Sequence, residues 1–180
     1  HAGGSSTPKR VRCLEWLLAN GADPELTGAW PSMRAIIVAC FTGEPTYVDV
    51  LRNATARLDH FAHAALGNAT KVNALLAKDP TLVNSRDAGG VTTLHCAAGS
   101  RLGRSSPEIA RGLADTARSL VLAGANVNET VRSWVDDVDV MYFAIGSGQT
   151  EVITLLLDHG ADPTAALTTA AWNQDYPTAE

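Results

Sequence analysis

Apolar residues recur along this chain at intervals of three and four, in short tracts broken by glycine. Val11, Leu14, Leu17 and Leu18 have that spacing, which predicts a helix over 10–20. Gly21 is placed to end it in the left-handed conformation, and Asp23-Pro24 opens a turn. A second tract over 35–40 predicts a short helix, a turn at Thr42, Gly43 and Glu44, and further helix from Tyr47 to Arg52. The pattern returns at Phe61 to Asn68 and Val72 to Leu76, where Asp79-Pro80 stops it. After Ala98 it is interrupted. Residues 99–106 predict a lengthened loop, Ser106 a cap, and Pro107 the first turn of a long helix reaching Ala123. Residues 129–139 predict a long loop. Helices over 141–147 and 152–158 follow, joined at Gly148, and a last one over 165–172.

Two of these tracts carry recognisable ends. Thr92-Thr93-Leu94-His95-Cys96-Ala97 has the form T-x-L-H-x-A, and Leu120 to Asn128 has the form L-x-x-G-A-x-x-N with one residue more at its start. Leu17 to Pro24 and Leu156 to Pro163 repeat the second form. These are the two ends of one ankyrin repeat, and the chain resembles an ankyrin-repeat protein over nearly its whole length. The resemblance implies an all-α solenoid of helix-turn-helix units with projecting fingers. Short helices would line a concave side and long ones the back. It implies a single domain over 1–180 of about five units, the first and last incomplete, with an insertion at 99–115 and a long finger at 129–139. Gly43 and Gly67 stand only 24 residues apart, whereas a full unit takes ~33; the finger between those two units is therefore very short or absent. Tracts such as Ala64 to Asn68 and Asp79 to Asn84 are similar to those of bacterial members, which points to a bacterial source.

Composition narrows the picture. Of the 180 residues, 46% are apolar but only 6% aromatic, which suits closely stacked helix pairs more than packed strands. The net charge of −5 argues against a nucleic-acid partner, because phosphate binding needs a strong basic patch. No apolar run approaches the ~18 residues of a membrane span. Residues 1–7 lack the apolar core of a secretory leader, and Gly-Gly-Ser-Ser reads as a linker or tag remnant. Cys13, Cys40 and Cys96 form no C-x-x-C pair, so they are expected to be reduced and buried, in a cytoplasmic protein.

The candidate chemistry is thin. His95 is the obvious catalytic temptation, but the resemblance makes it structural, bonded to backbone and hydroxyl groups between units; Thr92 belongs to the same scheme. Thr93 stands where the family usually has proline. Asp59, His60 and His63 form a polar group, yet two histidines alone do not hold zinc. The expected reading is an exposed His60 and a packed His63. Gly146-Ser147-Gly148 has no preceding strand to make it a nucleophile elbow, and no phosphate loop of the G-x-x-x-x-G-K type occurs. No catalytic residue, metal or cofactor is expected.

The fingers offer more. Trp30, Arg34, Arg132, Trp134 and Asp136 fall on them, and Trp and Arg are the residues that most often anchor interfaces. The reading favoured by the sequence is a non-catalytic scaffold binding another protein through its concave face and these fingers, as a monomer or weak homodimer. The rival is a small-molecule- or metal-binding protein, or an enzyme. It would use a pocket between the inserted loop and the long finger, lined by His95, Arg101, Arg132 and Trp134. There the basic stretch with Arg101, Arg104, Arg111 and Arg118 would face the acidic 129–139. A third reading is a regulatory segment of a longer protein.

Overall fold

The computed structural model describes residues 7–27, 32–54, 58–132, 137–164, 167 and 171. Among them the chain is mostly helical. The helices are α1 (Thr7–Ala19), α2 (Ala35–Thr42), α3 (Pro45–Ala54), α4 (His60–Ala65), α5 (Ala69–Lys78), α6 (Thr93–Gly99), α7 (Pro107–Leu122), α8 (Val140–Ser147) and α9 (Thr150–Asp158). Short 3-10 turns lie at Pro80–Asn84 and Leu102–Arg104. A two-stranded antiparallel hairpin, β1 (Thr130–Arg132) and β2 (Asp137–Asp139), pairs Thr130 with Asp139 and Arg132 with Asp137.

Helices α2 and α3, α4 and α5, α6 and α7, α8 and α9 pack as pairs. The short members form one row, α2 on α4 on α6 on α8, and α5, α7 and α9 form a second row behind it. α1 packs on α3. A helix between two neighbours and a layer behind it must be apolar all round, and α6 is buried at every position from Thr93 to Gly99. The outer helices have one buried stripe only. In α7 it runs through Leu113, Ala114, Ala117, Leu120 and Val121, while Arg111, Asp115 and Arg118 face out.

Local chemistry sets where each helix starts. Asp59, Asn68, Thr92, Ser106 and Asp139 each accept a backbone N–H of the first turn of α4, α5, α6, α7 and α8, which satisfies donors the helix itself leaves unpaired. The turn between α4 and α5 has Gly67 at φ +70°, and it presses on α7. A Cβ on Gly112 would lie 2.3 Å from the Gly67 carbonyl oxygen, so only glycine lets these backbones meet.

Asparagines tie successive pairs together. Asn84 Nδ2 donates to the Gly124 carbonyl and Asn84 Oδ1 accepts from Asn126 N, both at 3.0 Å. Asn128 repeats this with Gly160 and Asp162, again at 3.0 Å. Only residues 55–59 separate α3 from α4, too few for a projecting hairpin of the kind seen at 130–139.

The inserted loop closes the stack on itself. Arg101 N donates to the Cys40 carbonyl at the end of α2 (2.9 Å), while its Nε donates to Gly146 O at the end of α8 (3.1 Å). Arg104 donates to Ser147 O and Gly146 O, both at 2.9 Å. Over α6, Phe41 and Phe143 meet with ring centroids 5.6 Å apart. Gly99 makes room for them, since a Cβ there would lie 2.6 Å from the Phe41 ring.

The cysteine expectation needs one correction. Cys40 and Cys96 are buried, but Cys13 is exposed, because the described residues place no helix over that face of α1. Burial pushes the Cys40 thiol up to about 12 and raises the Cys96 thiol as well. Among the described residues no helix is long and apolar enough to cross a membrane.

Candidate functional site

The loops between pairs gather into one ledge. The first (between Thr27 and Arg34) and the third (between Arg86 and Thr92) are each closed by an antiparallel bridge, and the fourth is the β1–β2 hairpin. Five residues join α3 to α4, and the first loop lies against the third. Gly89 rests on the Ser32 backbone, where a Cβ would come within 2.2 Å of Ser32 O. Gly90, at φ +83°, sits beside Val131 of β1. Asp87 shapes this turn by accepting from Gly89 N (2.9 Å) and Val91 N (2.8 Å). Burial raises its pKa against those two donors.

Charged groups brace the ledge from below. Arg34 donates to Glu25 Oε2 at 3.0 Å and to Asp59 Oδ1 at 2.5 Å, and only 8% of the residue is exposed. Burial alone would lower its pKa; Asp59 and Glu25 more than reverse that. Arg34 was expected at a contact surface and is instead an interior strut, held there because two carboxylates converge on it. Replacing it with methionine keeps the packing but leaves two half-buried carboxylates without their cation. The expected loss is about 2 kcal/mol, below the full buried-pair value because Glu25 is partly solvated. Urea titration measures it, and Asp59→Asn should lose much less once Arg34 is already gone.

Arg86 is a second strut. It pairs with Glu129 and donates to Thr130 O at 3.2 Å, joining the third and fourth loops. Sequence reasoning passed over it, since nothing in the sequence around it distinguishes a bridging arginine from a solvated one. His60 also departs from expectation. It is half-buried rather than exposed, and its Nε2 lies 2.8 Å from Ser85 Oγ. The Ser85 hydroxyl proton goes to Leu82 O, so the imidazole donates. His63 is half-buried, and its pKa is lowered by burial first and by Lys71 next.

His95 is fully buried. Its Nδ1 accepts from Thr92 N (3.3 Å) and lies 2.8 Å from Thr92 Oγ1, which in turn accepts from His95 N. The pair forms a reciprocal cap on α6. That arrangement puts the proton on Nε2, which faces the Glu129 backbone outside good hydrogen-bond geometry. Burial holds the imidazole neutral, with its pKa lowered to about 4.

No protein-family model matches the chain. A stretch of 103 residues is 37% identical to the human BCL-6 corepressor-like protein 1. That stretch is 57% of this chain and 5% of the human protein, so the chain spans a small part of that relative. The relative being human, it lends nothing to a bacterial source.

Of the rival pocket's residues, His95, Arg101 and Arg132 lie among the described residues, each in a different setting. β2 leads into the start of α8, whereas Arg101 and Arg104 hold its end. β2 and these two arginines are therefore separated by the length of α8, about 10 Å at the helical rise. His95 is interior, and Arg101 is committed to Gly146 O. Nor do the arginines of 99–119 face the acidic loop: Arg118 pairs with Asp115 on its own helix. Arg132 is exposed on β1, opposite Asp137. Trp30, Trp134 and Asp136 lie outside the described residues. Among the described residues no group of three His, Cys, Asp or Glu side chains is placed to hold a metal ion.

Proposed function

We propose that this chain is an ankyrin-repeat scaffold that binds another protein, without catalysis, through the ledge made by its loops. The observation that carries the reading is the ledge itself. The first and third loops are packed backbone to backbone, the third meets the fourth at Val131, and Arg34 and Arg86 brace them, a platform of the kind that lowers the ordering cost of binding. Its outer edge presents Arg132 and Asp137. The ankyrin assignment rests on the Thr92–His95 cap, the glycine turns within helix pairs and the Asn84 and Asn128 bridges repeated between pairs. The likeness to a protein named as corepressor-like fits an interaction role.

The inner face contributes less than a concave repeat surface would. α6 is wholly covered, and Phe41 and Phe143 close over it. Binding therefore concentrates on the loops. The test is an affinity capture from lysate of the source cells, with wild type beside Arg132→Glu and Trp134→Ala. The expected result is a protein retained by wild type and lost from both variants, with their melting temperatures unchanged. Identical sets of retained proteins would remove the ledge from consideration.

A further inference from the structure

The opposite end of the stack carries a second surface. A groove of about 560 Å³ opens between α1, α2 and α3. Its floor is Ala35, Val38, Ala39 and Thr42 of α2, spaced i, i+3, i+4 and i+7, so one helical face of small residues looks into it. Leu14 and Leu17 of α1 form one wall, Tyr47 and Leu51 of α3 the other. Among the described residues of the same row, α4 and α6 each lie between two short helices, whereas α2 has α4 on one side. The lip is unusually apolar for a surface, with Leu26 69% and Leu17 44% exposed, and Trp16 beside it 62% exposed.

Charge identifies the occupant. Arg10 lines the groove, and Lys9 and Arg12 are exposed beside it on α1. The first turn of α1 holds no acidic residue, so these cations add to the positive end of the helix dipole. The chain as a whole carries −5, whereas α1 carries three cations against one acid, Glu15. A second copy seated here about a two-fold axis would bring like charges together. We propose that the groove docks a short amphipathic helix of another protein, one with an alanine- and leucine-lined face and acidic residues at its end. This is helix-in-groove recognition, with the steering charge at the rim. Its lining takes in Leu26 and Met33 beside the first loop of the ledge, but no residue of the third or fourth loop.

Cys13 lines the groove and is exposed, while Cys40 and Cys96 are buried, so its reaction with a disulfide reagent reports occupancy. The probes are a synthetic peptide helix with Ala and Leu at i, i+3, i+4 and i+7 and glutamates at its end, and the same peptide with lysines instead. The glutamate peptide should slow the Cys13 reaction about tenfold, and the lysine peptide should bind at least about tenfold more weakly. Arg10→Glu, a change at an exposed side chain, should reverse that preference. Leu17→Glu should abolish protection, and Arg132→Glu should leave it unchanged, which separates this surface from the ledge. Circular dichroism checks that each variant is folded. The proposal is overturned by no protection at about 1 mM of either peptide, or by equal binding of both. Equally decisive against it is a wild-type dimer in sedimentation that Leu17→Glu dissociates, since a second copy would then cover the groove.

Discussion

Gly112→Ala should lower the unfolding free energy by about 3 kcal/mol. In an open helix the same change would stabilise by about 1 kcal/mol, because alanine restricts the unfolded chain and favours helix. Here the added carbon would sit 2.3 Å from Gly67 O. The obstacle is backbone, in a turn that itself needs the left-handed conformation at Gly67. No side chain can rotate away, so α7 must move off the α4–α5 pair. Gly124→Ala is the matched control. Gly124 has φ +92°, but a Cβ added there would meet no atom within 4 Å, so only the conformational penalty of about 1 kcal/mol applies. Urea denaturation followed by circular dichroism gives both values. An alanine at 112 as stable as glycine would mean that α7 slides freely over the Gly67 turn.

The second large effect is on pH. The buried His95 imidazole has its pKa lowered to about 4, below the ~6.5 of the unfolded chain. The unfolded state therefore takes up the proton first as pH falls. The stabilising contribution is complete above pH ~6.5 and is lost progressively toward pH ~4, by up to about 3 kcal/mol. His95→Gln should abolish that slope. At neutral pH it should itself cost about 2 kcal/mol, since the Thr92 N–H and hydroxyl lose their acceptor in a dry site. Two other groups titrate nearby in effect. Asp87, with its pKa raised by burial, gains relative stability as pH falls and so opposes the trend. His63, with its pKa lowered, acts in the same direction as His95. Both remain in the variant, so the difference between the two stability–pH curves isolates His95. Parallel curves between pH 4 and 7 would show that the imidazole takes up its proton as readily in the fold as in the unfolded chain.

Much of the helical plan is legible because local signals decide it. Ser106-Pro107 marks the start of α7 through a cap and a residue that needs no donor. Gly43 and Gly148 end α2 and α8 because those turns require positive φ. The short spacing from Gly43 to Gly67 foretells how few residues join α3 to α4. Long-range contacts were not legible in the same way. Arg34, Arg101 and Arg132 look alike in sequence. One is buried between two carboxylates, one holds the end of a helix 45 residues away, and one is exposed. Their fates depend on which loops become neighbours, and that follows from a missing finger and an inserted loop acting together. The groove beside α1 was equally hidden, since a stripe of small residues on α2 reads as core.

The tie made by Arg101 bears on how the molecule comes apart. In an ordinary stack each pair touches only its neighbours, and the ends can fray one pair at a time. Here the α2–α3 pair and the α8–α9 pair share one residue and one pair of phenylalanine rings. Loosening either end breaks contacts at the other, so the array behaves as a closed cooperative unit rather than a row of separable tiles. Such a stack cannot be lengthened from within, because one more pair between α2 and α8 would pull Cys40 and Gly146 beyond the reach of a single arginine.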